Sequence, residues 1–262
     1  MGPGQESGAA AGGGLSGSAG GTSAPATSAW RRARLVERRV ETPTAVTLVF
    51  EPEGWPGHLA GQHADIRLTA ADGYTAVRSY SMAAPARDGL VEFTIQRVGD
   101  GEVSTYLCDD LPIGAYAEVK GPIGGWFVWR ETDTAPVLLV AGGSGIVPLR
   151  AMIRQRRDAG SRAPFRLVYS VRTPADVIYA DELARPDATG LETAVLYTRR
   201  APDGSTRPPA RIGLADLNTH GWPPDFQPTC FVCGPNGFVE TAAKALIALG
   251  HDSHRIKTER FG

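Results

Sequence analysis

The chain is short of cysteine, of long apolar runs and of net charge, and each shortage excludes something. Its three cysteines (Cys108, Cys230 and Cys233) do not make a disulfide framework, so the expected setting is a reducing compartment, the cytoplasm. No apolar stretch approaches the roughly 18 residues of a membrane span. A formal net charge of −1 leaves no basic footprint for nucleic acid. Residues 1–29 are mostly Gly, Ser, Ala and Thr with almost no large apolar side chains. Such a stretch cannot bury enough surface to offset its ordering entropy, and it reads as a disordered tail. Arg31-Arg32 is followed by no apolar segment, which rejects an export signal. Hydrophobic residues at 42% and charged residues at 21% place the rest of the 262-residue chain among globular proteins, with room for one large or two modest domains.

What is present is organised around Val137-Leu138-Leu139-Val140-Ala141-Gly142-Gly143-Ser144-Gly145-Ile146-Val147-Pro148. The all-apolar start predicts a parallel strand covered on both faces. The glycines allow a sharp turn and close approach of a ligand. A helix follows from Ile146, with Leu149, Ala151, Met152 and Ile153 on its apolar face. Its free N–H groups and its dipole favour an anion such as a pyrophosphate. Pro148 stands where the G-x-G-x-x-G fingerprint has its third glycine, and proline is tolerated in a first turn. A tight connection with no ligand fits the same residues.

The periodicity divides the chain. Residues 30–130 read as β, with strands predicted at 35–40, 45–50, 64–69, 75–82, 91–98 and 115–120 and one short helix over 103–107. This is the pattern of a six-stranded antiparallel barrel. Residues 131–262 alternate strand and helix. Strands are predicted at 137–141, 165–170, 191–197, 229–233 and 255–259, and helices at 146–158, 175–183 and 237–249. That rhythm predicts a doubly wound parallel sheet, an α/β domain following the β domain.

Four further clusters carry chemistry. In Arg78-Ser79-Tyr80-Ser81 a guanidinium suits a phosphate, a ring can stack on a heterocycle and a hydroxyl can exchange a hydrogen bond. An amphipathic strand with an exposed arginine reads the same four residues equally well. Gly99-Asp100-Gly101-Glu102-Val103-Ser104-Thr105 is a glycine turn opening a helix, either a second anion site or a plain cap at Ser104. In Phe231-Val232-Cys233-Gly234-Pro235-Asn236-Gly237 a strand ends at a glycine turn. Ligands of an open α/β sheet bind at such carboxyl ends, so Cys233 is expected to face one. Cys230 and Cys233 share a strand at odd spacing and point to opposite faces, which rejects a dithiol, and no ligand set completes a metal site. The C-terminal Glu259-Arg260-Phe261-Gly262 would bring Glu259 and Phe261 to the sheet's carboxyl edge. The basic run Arg31, Arg32, Arg34, Arg38, Arg39 reads as a solvated strand surface or as a docking face for an acidic partner.

In order, R-S-Y-S, G-E-V-S-T, G-P-I-G-G, G-G-S-G-I-V-P, C-G-P and E-R-F-G resemble the ferredoxin–NADP⁺ reductase superfamily, from about Trp30 to Gly262. Within it the chain is most similar to bacterial FAD-containing reductases that feed electrons to oxygenases and ferredoxins. The resemblance implies an FAD-binding barrel and an NAD(P)H-binding α/β domain. It implies that Arg78 binds the FAD pyrophosphate, Tyr80 stacks on the flavin and Ser81 lies near N5. Thr94, Gln96 and Arg97 would run beside the ribityl and adenosine parts, and Val103, Ser104 and Thr105 would hold the pyrophosphate. Ser144 would sit between flavin and nicotinamide, and Gly143, Gly145 and Pro148 would shape the nucleotide pocket together with Gly234 and Pro235. Cys233 and Glu259 would flank the nicotinamide, and Ser81, Cys233 and Glu259 form the implied catalytic set. Phe261 would shield the flavin face.

No acid stands at 168–173, where an NADH site usually holds the ribose, while Ser170 and Arg172, with Arg199 beyond the third strand, suit a 2′-phosphate. The expectation is NADPH over NADH. The cysteines cannot form the four-ligand [2Fe–2S] site that many relatives carry, so the acceptor is expected to be a separate ferredoxin or oxygenase component. A reductase of free flavin or quinone is the alternative, and a flavin-binding relay subunit without hydride transfer is a third reading.

Overall fold

The computed structural model describes residue 1, residues 29–185 and residues 190–261, so most of the expected tail lies outside the described residues. A six-stranded antiparallel sheet is built from β1 (Trp30–Thr42), β2 (Ala45–Pro52), β3 (His63–Thr69), β4 (Thr75–Ser81), β5 (Val91–Gln96) and β6 (Tyr116–Ile123), in the spatial order β4-β3-β6-β1-β2-β5. The two ends of that order meet through a bridge between Met82 and Phe93, which closes the sheet into a barrel. Leu35, Leu48, Phe50, Ile66, Met82, Phe93 and Ile95 fill it without exposure. The helix α1 (Glu102–Thr105) runs into a π-type turn over Tyr106–Asp110, and its Val103 and Leu107 close one end of that core. Arg38 donates to the carbonyls of Cys108, Leu107 and Leu111, satisfying the turn's last acceptors. Arg34 pairs with Glu51, Arg39 pairs with Glu37 and Glu92, and Arg32 lies over the Tyr116 ring. These arginines are engaged within the barrel surface.

The second unit is a parallel sheet of β7 (Val137–Gly142), β8 (Phe165–Val171), β9 (Glu192–Tyr197), β10 (Thr229–Pro235) and β11 (Ile256–Phe261), ordered β11-β10-β7-β8-β9. Its helices are α2 (Ile146–Asp158), α3 (Ala180–Leu183), α4 (Leu214–His220) and α5 (Asn236–Ala248). The inner strands β10, β7 and β8 are buried on both faces. Leu139, Leu167, Phe231 and Cys233 pack on the α2 side, while Leu138, Val168, Cys230 and Val232 pack on the side of α4 and α5. Cys230 and Cys233 therefore do point to opposite faces. The strand order reverses between β7 and β10, the switch point at which open α/β sheets bind ligands.

Two elements depart from the sequence reading. The helix expected over 175–183 is a 3₁₀ turn (Pro174–Asp176) and the short α3, separated because Tyr179 sits at φ 64°. The helix α4 has no counterpart in the reading, since the Pro-rich segments on either side masked its seven residues. The two units share a core: Ala45, Ala60, Ala83, Phe127 and Trp129 of the barrel and its exit segment pack in one cluster with α2 and the sheet. Trp129 meets Phe165 edge to face at 5.2 Å.

Candidate cofactor and nucleotide site

The carboxyl edge of the parallel sheet faces the barrel strands β4 and β5 across a cavity of about 950 Å³. The barrel contributes Arg78, Ser79, Tyr80, Ser81, Thr94, Gln96 and Arg97, and the α1 turn adds Val103 and Ser104. From the sheet come Gly142, Gly143, Ser144, Ser170, Arg172, Pro235 and Phe261.

On the barrel side, β4 lies at one end of the strand order and its backbone is largely exposed, so consecutive side chains reach the cavity. Arg78 donates to the Val77 carbonyl at 2.8 Å and, among the described residues, pairs with no carboxylate. Tyr80 packs against the barrel core, and burial pushes its phenol up to about 12, so the ring presents a neutral face. Ser79 is tied back to Asp65 at 2.6 Å. Arg97 is held by Asp109 at 2.9 Å. Ser104 does not cap the helix. Its hydroxyl accepts from the Val98 N–H and donates to the Gly101 carbonyl, both at 3.1 Å, and so closes the turn that precedes α1.

On the nucleotide side the glycines are dictated by packing. A Cβ on Gly145 would lie 2.1 Å from the Cys233 carbonyl oxygen. One on Gly142 or on Gly234 would lie 2.7 Å from the Phe238 ring. The β7–α2 turn, the β10–α5 turn and Phe238 are interlocked, with Phe238 forming part of the cavity wall. Gly143 has a different reason: its φ of +55° is the left-handed region, and the space above it is open toward Gln96.

Ser81 and Glu259 meet where the domains meet. The Ser81 hydroxyl donates to Glu259 Oε1 at 3.3 Å. Glu259 Oε2 is buried and makes no hydrogen bond with the described residues. Burial raises the carboxyl to about 7, and the bond from Ser81 pulls it partly back. Cys233 pairs in register with Glu259. Expected to face a ligand, Cys233 is instead fully buried in the core on the α2 side and outside the cavity lining. Burial and the neighbouring Glu259 raise its thiol well above the ordinary value, which keeps it neutral.

Gly145 and Pro148 are likewise buried beneath the turn. Thr105, Gly234, Glu259 and Arg199 do not line the cavity either; Glu259 reaches it only through Ser81, and Arg199 is exposed. Ser170, 6% exposed, and Arg172 both do line it, and among the described residues Arg172 pairs with no carboxylate. Among the lining residues that escaped the sequence reading are Phe238, Thr198 and Asp176. Asp176 left a signal in T-P-A-D, a capping box in which its Oδ2 accepts from the Thr173 N–H at 2.9 Å and from its hydroxyl at 2.7 Å. Phe238 left none, because its role depends on bringing the distant Gly142 up against the nearby Gly234.

The cavity suits two anionic nucleotides. Among the described residues each side supplies one guanidinium without a carboxylate partner, and Gly142 and Gly143 keep the start of the β7–α2 turn free of side chains.

Residues 41–128 match the family model described as an oxidoreductase FAD-binding domain, and residues 139–244 match that of an oxidoreductase NAD-binding domain. The chain is 31% identical over 231 residues to the ferredoxin–NAD(P)(+) reductase component of naphthalene 1,2-dioxygenase/salicylate 5-hydroxylase systems from Ralstonia sp., a match covering 86% of this chain and 64% of that relative. It is 29% identical to the glycine betaine monooxygenase reductase subunit of Chromohalobacter salexigens, covering 77% of this chain and 55% of the relative. The chain thus spans less than two thirds of these relatives. Among solved structures it superposes on the flavohem-like FAD/NAD binding domain of nitric oxide dioxygenase from Vibrio cholerae with a TM-score of 0.79 at 26% identity, covering 88% of this chain and 98% of that one. It also superposes on the ferredoxin reductase in carbazole 1,9a-dioxygenase, with a TM-score of 0.75 at 25% identity, covering 89% and 70%.

Proposed function

Because the chain belongs to the ferredoxin–NADP⁺ reductase superfamily, with an FAD-binding domain ahead of an NAD-binding domain, we propose that it takes a hydride from NAD(P)H and delivers electrons to a separate acceptor, a ferredoxin or an oxygenase component. When bound, FAD supplies an N5 that accepts the hydride and a ring system that gives up electrons one at a time. The observation that carries the reading is the cavity, in which the Arg78-Ser79-Tyr80-Ser81 strand of one domain faces the glycine turn of the other.

In this reading Arg78 binds the FAD pyrophosphate and Tyr80 offers its neutral ring to the flavin. Thr94 and Gln96 line the side of the same ligand. Gly143 and Ser144, which line the cavity ahead of α2, receive the nicotinamide nucleotide's pyrophosphate. Ser81 and Glu259 hold a proton beside the reacting edge, since a carboxyl with its midpoint near 7 both keeps and releases one at working pH. Phe261, 37% exposed on the cavity wall, excludes water until the nicotinamide arrives. Cys233 supports the site from beneath as a neutral, packed side chain.

Cys108, Cys230 and Cys233 are buried in three different places, so these residues do not gather round a cluster, which supports an acceptor group held outside them. Those unpaired thiols also favour the cytoplasm. None of the described helices is long and apolar enough to cross a membrane. The coenzyme is NADPH in this reading. Arg172 and Ser170 suit a 2′-phosphate, and one oxygen of Asp176 is already committed to Thr173. Steady-state turnover tests both parts. With NADPH and a separate ferredoxin it should exceed turnover with free flavin, and Arg172→Ala should raise the NADPH KM about tenfold with little change for NADH. Higher kcat/KM with NADH, or an unmoved NADPH KM in the variant, would overturn the coenzyme assignment.

A further inference from the structure

A second cavity, of about 930 Å³, lies on the seam between the domains, with Arg39, Glu41 and Glu92 on the barrel side and Arg150, Tyr179 and Glu182 on the other. Tyr179 stands between this cavity and the cofactor cavity. Its ring is 3% exposed, and its hydroxyl donates across the seam to Thr94 Oγ1, a group that lines the cofactor cavity. Thr94 in turn bonds to Thr47 at 2.7 Å, and Thr47 donates to Glu41 Oε1 at 2.6 Å. Each hydroxyl carries one proton, so the direction is fixed: Tyr179 gives to Thr94, Thr94 to Thr47, and Thr47 to the carboxylate.

Three further observations concern the same residue. Its backbone is left-handed, at φ 64° and ψ 32°, a conformation that a bulky L residue holds only where its surroundings over-determine it. The Arg150 guanidinium, 4% exposed, lies 3.9 Å over the ring while donating to Glu182 at 2.8 Å and to the barrel's Ala83 carbonyl at 3.2 Å. Only Val177 and Ile178, both buried, separate Tyr179 from Asp176, so the chain runs directly from the cofactor cavity into the seam.

We propose that Tyr179 is a positioning residue for hydride transfer: its hydrogen bond to Thr94 fixes the segment from Arg172 to Asp176 in register with β5, and thereby sets the approach of nicotinamide to flavin. This rests on the reductase reading above. Hydride transfer needs the two rings at close range, and a small misplacement far from the chemistry lowers the rate steeply.

The test is anaerobic reduction of the FAD-loaded protein by saturating NADPH, followed at the flavin band, for wild type and Tyr179→Phe. The phenylalanine keeps the ring beneath Arg150 and removes only the O–H. The limiting reduction rate should fall about tenfold while the bound flavin content and its visible spectrum stay as in the wild type. Thr94→Val, which also removes the bond to Thr47, should lower the rate as well, and the double variant should be no slower than Thr94→Val alone, because the bond that Tyr179→Phe removes is already absent there. A lowered melting temperature with an unchanged limiting rate would overturn the proposal, as would additive effects in the double variant. If Tyr179→Phe does not hold flavin, Thr94→Val alone decides, and a wild-type rate there would overturn it. A wild type that is not reduced would sink the reductase reading and this inference together. A reduced wild type with an equally fast Tyr179→Phe would sink this inference alone.

Discussion

At the level of single residues, the pH dependence expected of the protein rests on Glu259 and Ser81. They lie 178 positions apart and meet only because β11 ends where β4 ends. Burial raises the Glu259 carboxyl to about 7 against the pull of the Ser81 bond, and among the described residues its Oε2 makes no hydrogen bond. Its folded midpoint lies above the ordinary value of 4.5. Its contribution to stability is therefore fully present below that value and is lost as pH rises through about 7. The rate of flavin reduction should show an inflection near pH 7 in the wild type and a flat profile in Glu259→Gln, measured by stopped flow from pH 5.5 to 8.5. The variant should also lose less stability over that range in thermal melts. Both residues were legible in the sequence, as the last residue of R-S-Y-S and the first of E-R-F-G. Their bond and the raised carboxyl were not, because they arise from burial at a junction between domains. Cys233 marks the opposite limit. Its place in C-G-P was legible, but strand parity turns its side chain into the core.

At the scale of elements, the glycine turn after β7 is a packing device as much as an anion site. Gly145 lets α2 start against the Cys233 carbonyl, and no Cβ fits there. Gly145→Ala should therefore destabilise the protein by about 3 kcal/mol, read as a lowered denaturant midpoint at unchanged slope. An alanine variant within about 0.5 kcal/mol of the wild type would contradict the packing account. The strands and the long helices α2 and α5 were legible because a single period dominates each. The break at Tyr179 was not legible. Helical propensity holds through 175–183, and only the pull of Thr94 and Arg150 from outside the segment bends it away. The role of Phe238 was hidden for a related reason, since its two glycine partners sit on different strands.

At the scale of the whole molecule, the barrel and the parallel sheet form one packed body. Residues of both units share a core, and ion pairs and hydrogen bonds from α2 reach the barrel: Arg150 and Arg154 to Glu92, Asp158 to Arg87, and Gln155 to the Ala60 N–H. The two nucleotide-binding edges are therefore held face to face before any ligand arrives, which is the preorganisation that hydride transfer requires. The order of six short motifs made this architecture legible, whereas the seam that aligns the domains is written in charged and hydroxyl side chains that carry no periodic signal. The most direct measurement of the central claim is anaerobic mixing of the purified, FAD-loaded protein with NADPH and, separately, NADH in a stopped-flow spectrophotometer. Rapid bleaching of the flavin absorbance, faster with NADPH, is expected in a preparation that contains no iron. A flavin band left intact by both nucleotides would contradict it.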